Sequence, residues 1–375
     1  MRLSIIAIVA FCLCALSREA RAEQVRYDWR LEDGFEYDTN PARAEHIAGT
    51  ENESSVPGSP LARIVASGSL AAPLGQNNTL ALSGALGGKW FFASDARAAN
   101  AFVVQTAAND TLRLGQRTQV ALLGTYYDVF QRRSLDIPNF RSATPTLQLE
   151  QRFAKNILVS LGGGYRWFTF KPDDTYSFTS PTAFLAIRHF LPGDLRAGGA
   201  DWEWSAGASM EGRNFVGPAC TSSGCSDIAG SPRHHDRFWI GHAEWSRTGS
   251  WLFGSGAALH IYQSNSYGES LVRGLVHVRA VIPLPWELSL SVRGEVVVTH
   301  YADPLMLLQP VAGLPSASIE DESRSTFRLD IARLFQGNFE IGARYVIYTS
   351  APASNAVDYR RQTLLFYFAF LDDRW

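Results

Sequence analysis

The chain has 375 residues, of which 46% are hydrophobic, 12% aromatic and 19% charged, and its formal net charge is −2. That near-neutral balance excludes the basic footprint of a nucleic-acid-binding protein. Beyond the N-terminal segment no window stays apolar for long enough to cross a bilayer as a helix, so the hydrophobicity is dispersed along the chain.

The first segment, MRLSIIAIVAFCLCALSREARA, reads as a secretory signal peptide: Arg2 stands near its start, an apolar run extends from Leu3 to Leu16, and Ala20-Arg21-Ala22 supplies the cleavage site. The run is shorter than the about 20 apolar residues of a transmembrane helix. Cys12 and Cys14 lack the small preceding residues of a lipoprotein signal. Cleavage is expected after Ala22, which makes residues 1–22 the signal and 23–375 a single folded unit.

Directly afterwards, Val25, Tyr27, Trp29, Leu31, Asp33, Phe35 and Tyr37 alternate with Arg26, Asp28, Arg30, Glu32, Gly34, Glu36 and Asp38. A period of two keeps an aromatic, mostly apolar face apart from a charged one, whereas a helix would mix them. The same rhythm returns in Trp202–Arg213 and in Glu287–His300. Together with the turn residues it predicts sixteen strands, at 25–38, 60–73, 79–92, 100–114, 118–130, 144–153, 157–170, 178–190, 202–213, 237–247, 251–263, 270–282, 287–301, 323–334, 339–349 and 360–375.

The predicted connections alternate in length. Those at 74–78, 115–117, 154–156, 248–250, 283–286 and 335–338 are short, and those at 39–59, 131–143, 214–236 and 302–322 are long, with 191–201 as a longer member of the short set. This is how strands shuttle through a membrane on short periplasmic turns and long external loops. An even strand number returns both termini to the periplasmic side, where the first and last strands can pair and leave no open edge in lipid. The expected fold is therefore all-β: a closed antiparallel transmembrane β-barrel of about 16 strands, in the bacterial outer membrane. One miscounted hairpin would make it 14 or 18. A large soluble β-sandwich or β-helix competes, but it turns its apolar face inward. Nor does it gather aromatic residues at strand ends, as Tyr27, Trp29, Trp90, Trp202, Trp204, Trp245 and Trp251 are gathered here.

In such a barrel the charged faces line the lumen. The predicted lining is Arg26, Asp28, Arg30, Glu32 and Glu36 from the first strand, and Glu203, Glu211 and Arg213 from the ninth. Arg273, Arg279, Arg293 and Glu295 follow, then Arg328, Asp330 and Arg344. Both signs occur in similar numbers, which suits hydroxyl-rich solutes and equally suits a salt-bridged wall that holds the barrel in shape. A barrel of this size has room for an aqueous channel.

Catalytic patterns are missing. None of the eight histidines is followed two residues later by Ser, no Asp-x-His occurs, and G-x-S-x-G, H-E-x-x-H and phosphate-binding glycine loops are absent. The expectation is a protein that is not an enzyme and needs no cofactor. Cys220 and Cys225, in a Gly/Ser/Pro-rich stretch, read as a local disulfide of an oxidising compartment. A metal site shared with His234, His235 and Asp236 is the competing reading; it lacks a second cysteine pair, and no metal is expected.

The last segment, Tyr359–Trp375, is an apolar strand ending on an aromatic residue, with Tyr367 and Leu371 in step with Trp375. It resembles the terminal strand that barrel-assembly machinery recognises, although Asp373 stands where an apolar residue is usual. At the other end, Phe35-Glu36-Tyr37-Asp38-Thr39-Asn40-Pro41 resembles the aromatic-Asp-[Ser/Thr]-Asn segment found early in outer-membrane β-barrel porins and in barrels encoded with exopolysaccharide export systems, with Tyr37, Asp38 and Asn40 as the matching positions. The layout, a signal peptide followed by one barrel without plug or repeat domain, is similar to the Wzp-type barrels of Wzx/Wzy-dependent exopolysaccharide export. That resemblance implies secreted polysaccharide as cargo, outer-membrane lipid as surroundings and a periplasmic copolymerase or export protein as partner. The alternative expectation is a passive diffusion porin for small hydrophilic solutes.

Overall fold

The computed structural model describes residues 25–41, 46–47, 58–131, 139–171, 173–193, 201–220, 230–302, 325–349, 357–358 and 360–374. The signal peptide, Cys225 and Trp375 lie outside the described residues. The strands are β1 (Arg26–Asp38), β2 (His46–Ile47), β3 (Ser59–Pro73), β4 (Asn78–Phe91), β5 (Ala101–Arg113), β6 (Thr118–Gln131), β7 (Phe140–Ala154), β8 (Ile157–Phe170) and β9 (Phe178–Leu191). They continue as β10 (Asp201–Pro218), β11 (Arg233–Thr248), β12 (Leu252–Ser264), β13 (Leu271–Leu284), β14 (Leu288–Tyr301), β15 (Ser325–Phe335), β16 (Phe339–Thr349), β17 (Val357–Asp358) and β18 (Arg360–Arg374). Two three-residue 3-10 turns, Arg97–Ala99 and Asp174–Tyr176, lie in connections.

All strands except β2 and β17 form one closed antiparallel barrel, sixteen strands in sequence order, and β1 closes it by pairing with β3 on one side and β18 on the other. The short pair β2 and β17 forms a separate two-stranded sheet. The predicted count and ranges therefore hold. The differences lie at the long-connection end, where β7 begins at Phe140, β10 runs on to Pro218 and β11 begins at Arg233. There the β10–β11 ladder also shifts register between Asn214 and Pro218.

Each strand turns one face outward. Phe35 is 66% exposed, and Leu122, Leu147, Leu185, Met210, Val276, Val298 and Phe366 stand out in the same way around the wall. An apolar belt that surrounds the molecule has no place in water, and its closed hydrogen-bond ladder lets it stand in lipid. Aromatic rings border the belt on both sides. Trp202, Trp204 and Trp245 pack together toward the short turns, with ring centroids 5.2–6.0 Å apart, and with Leu191 they line a shallow outer recess. Toward the long connections Phe35 meets Phe92 and Phe102 meets Phe130. Such rings suit the two membrane interfaces.

Among the outward-facing charges of the described residues is an ionic cluster. Asp128, 2% exposed, receives Arg141 at 3.1 Å and also pairs with Lys171, whose ammonium lies 3.9 Å from the centre of the Phe130 ring. A carboxylate on an outer wall is tolerable here because it is paired and stands near the strand ends.

Candidate functional site: the inner wall

The faces opposite the apolar belt converge on the barrel interior, and the strand register decides which charges meet. Glu36 of β1 stands beside Leu61 of β3 and Leu365 of β18, and Glu32 stands beside Val65 and Ala369. Buried among apolar neighbours, both carboxylates need cations, and β1 itself and strands on both sides of it supply them. Lys89 Nζ reaches Glu36 at 2.6 Å, and Arg63 reaches Glu36 at 3.4 Å and Glu32 at 3.8 Å. Arg344 contacts Glu32 at 3.3 Å and also pairs with Asp330, which accepts from Arg328 at 2.5 Å. Arg30 joins Glu32 at 3.3 Å to Glu340 at 2.7 Å. The result is an alternating ionic ribbon across β4, β3, β1, β18, β16 and β15, laid over the Tyr367 ring, which lies 5.8 Å from Arg30 and 5.2 Å from Arg344. It spans the closing seam of the barrel.

The facing wall is built differently. Tyr127, Phe140, Phe168, Phe178, Phe215 and His234 come from six successive strands and form a row of rings with centroid separations of 5.4, 5.3, 4.7, 5.0 and 4.0 Å. Arg166 lies over Phe168 and Phe178, Arg213 lies over Phe178 and Phe238, and Glu211 binds both guanidinium groups at 3.5 and 3.2 Å. The turn after β8 covers part of this row: Tyr176 packs edge-on against Phe170. Burial, together with the nearby Asp173 and Glu269 charges, raises the Tyr176 phenol above its usual range.

Of the residues predicted to line the lumen, the structure thus brings Arg30, Glu32, Glu36, Arg328, Asp330 and Arg344 into one ribbon, and Glu211 with Arg213 into the aromatic side. Arg293 pairs with Glu295 at 3.5 Å, and Arg273 donates to Thr299 at 3.2 Å. Asp28 accepts from Ser69. Arg26, Glu203 and Arg279 share the inward parity of their strands and stand apart from both groups. About halfway along their strands, Ser83, Gln105, Thr125, Arg279 and Arg293 face inward and are nevertheless exposed. Toward the long connections the inward side chains of Leu61, Phe91, Phe168, Phe178 and Phe215 are buried. The interior is therefore open to solvent at mid-depth and lined by packed side chains nearer the long connections.

The segment that carried the family resemblance has a structural task. Asp38 is fully buried and accepts from Arg361 of β18 through Nε at 2.9 and 3.0 Å and through Nη2 at 2.5 Å. Its Oδ1 also accepts from the Asn40 amide at 3.0 Å. Thr39 completes the clasp, donating its amide to the Gln362 carbonyl and accepting the Gln362 amide at its hydroxyl. Tyr37 points outward, and its hydroxyl lies against Gly58. Cys220 is disulfide-bonded, while its predicted partner Cys225 lies outside the described residues. The row of six rings and the Asp38–Arg361 clasp escape sequence reading, because their members lie far apart along the chain and meet only through the register.

No protein-family model matches this chain, and no curated protein matches it in sequence. Among solved structures, Acinetobacter baumannii OccAB1 superposes with a TM-score of 0.49 at 9% identity, over 95% of this chain and 99% of that one. Pseudomonas aeruginosa OpdO gives 0.45 at 12% identity, over 94% and 98%. The siderophore receptor PirA from Pseudomonas aeruginosa gives 0.39 at 9% identity, over 93% and 80%.

Proposed function

We propose that the protein is a pore of the bacterial outer membrane that passes small hydrophilic solutes by passive diffusion. The observation that carries this reading is the solvent-exposed polar side chains on the inner wall at mid-depth, Ser83, Gln105, Thr125, Arg279 and Arg293, inside a wall whose outside is apolar. The packed inner wall toward the long connections favours small solutes over a polymer. Export of polysaccharide, with a periplasmic copolymerase as partner, loses the residues that suggested it, since Asp38, Thr39 and Asn40 clasp the closing seam of the barrel. Outer-membrane lipid surrounds the belt, and the aromatic outward face of β18 suits recognition by barrel-assembly machinery during insertion.

The test is reconstitution of the folded barrel into planar bilayers and into liposomes loaded with an impermeant polymer. Stepwise conductance, and swelling with small sugars that fades as the sugar lengthens, are expected. A correctly folded barrel that gives neither would overturn the proposal, and swelling with long polysaccharide would restore the export reading.

A further inference from the structure

At the long-connection end of the inner wall, on the aromatic side, three potential ligands from two segments converge. His234 and Asp236 share the inward face of β11, and Glu269 lies in the connection between β12 and β13. Gly268 adopts a φ of +79°, a conformation that side chains rarely take, and so turns the chain just before Glu269. His234 Nε2 lies 2.8 Å from Asp236 Oδ1 and 3.3 Å from Glu269 Oε2, and one ligand atom from each residue lies within 4.8 Å of the others. Two ligands of one tetrahedral zinc ion, bound at about 2.0–2.1 Å, stand roughly 3.3 Å apart. The His234–Glu269 separation of 3.3 Å matches that value, and the His234–Asp236 separation of 2.8 Å is somewhat shorter.

The surroundings hold the ligands in place. Phe215 stacks on the imidazole at 4.0 Å and 5°, which fixes the plane of the ring. The Tyr262 hydroxyl donates to Asp236 Oδ2, leaving Oδ1 directed at His234. Ser264 Oγ lies 3.2 Å from His234 Nε2 and accepts the Ser266 amide at 2.9 Å. The Glu269 connection is itself anchored to the disulfide segment, because Tyr267 donates its amide to the Cys220 carbonyl and Ser266 Oγ accepts the Cys220 amide at 3.2 Å. Arg213, which stands opposite Asp236 in the β10–β11 register, is engaged by Glu211. Oriented carboxylate and imidazole ligands with hydrogen-bonded supports are the construction that metal sites use.

We infer that His234, Asp236 and Glu269 form a binding site for a divalent transition cation of the zinc class at the inner wall of the barrel mouth. One nitrogen and two carboxylate oxygens suit such an ion better than magnesium, which demands octahedral oxygen ligation. Three protein ligands leave a coordination position for water or for a solute. On binding, the cation takes the place of the proton shared between imidazole and carboxylates, and that proton passes to solvent. The bound ion ties the β12–β13 connection to the wall.

The test uses the tag-free, full barrel, folded in detergent and stripped by chelator, titrated calorimetrically with Zn²⁺ in excess Mg²⁺. One Zn²⁺ per chain is expected, with affinity reduced at least tenfold in His234→Gln and in Glu269→Gln, and unchanged in His235→Gln, whose side chain has the opposite parity. Co²⁺ should give the visible absorption of a low-coordinate site, lost in His234→Gln. Should His234→Gln fail to fold, Glu269→Gln in the connection decides. Absence of stoichiometric Zn²⁺ uptake by the folded protein, or undiminished uptake by Glu269→Gln, would overturn the inference.

Discussion

Two aspartates of β1 show how position sets the worth of a charge. Asp38 is fully buried and held by the fork of Arg361, so the pair's desolvation is offset only while both members are present. Asp38→Ala is expected to cost about 3–5 kcal/mol, whereas Asp38→Leu combined with Arg361→Leu should recover most of that loss. Urea unfolding in detergent checks this, and a single-variant loss below about 1 kcal/mol, the worth of a surface pair, would rule it out. Asp33 is the opposite case. It faces outward between Leu31 and Phe35, opposite Ile64 and Phe368, and makes no ion pair among the described residues. A carboxylate on a lipid-facing wall is a penalty, so Asp33→Leu should stabilise the barrel in lipid by up to about 2 kcal/mol. Equal stability of the two proteins in vesicles would show that Asp33 does not meet lipid.

At the scale of the element, β1 and β18 close the barrel only by approaching closely at one glycine. A Cβ at Gly34 would stand 2.9 Å from Leu365 Cδ1 and 3.0 Å from Tyr367 Cβ, and would also meet the Phe366 carbonyl. Gly34→Val is therefore expected to block the seam and lower the yield of folded, heat-modifiable barrel on gels, with Ala at an intermediate level. Wild-type yield from the Val variant would refute this. The period of two made this strand, and nearly every other, legible in the sequence, because one face had to be apolar throughout and a slip of one residue would exchange the faces. The ends were less legible. Between Asn214 and Pro218 the strand continues through a register shift, and Arg233-His234-His235-Asp236 is polar on both faces, so alternation gives no signal there. The inward parity of charged residues could be read from the pattern. Their partners could not, since Glu32 meets Arg344, 312 positions away, only after the ends of the chain have paired. The same limit applies to Glu269, which no local pattern joins to His234.

Across the whole molecule, the acids and bases of the inner wall do not contribute equally to the solvent-filled space. Glu32 and Glu36 are buried and paired, and Asp330 is shared between Arg328 and Arg344. The exposed side of the wall instead presents Arg279, Arg293 and Arg328 in direct register on three neighbouring strands, with Glu295 as a single partner of Arg293. Arg328 is engaged by Asp330, and the other two guanidinium groups, facing an aqueous volume between low-dielectric walls with Glu295 as one counter-charge, bias the potential there to positive even though the chain's formal net charge is −2. The pore should consequently prefer anions. Under a potassium chloride gradient in a planar bilayer, the reversal potential should have the sign of chloride preference, and Arg279→Glu combined with Arg293→Glu should move it toward potassium. Because this interaction is screened within about 10 Å at 0.1 M salt, the preference should shrink as salt is raised. A reversal potential that ignores both the charge reversal and the salt would mean that the conducting path avoids this part of the wall, and would transfer selectivity to the charges elsewhere on the inner wall.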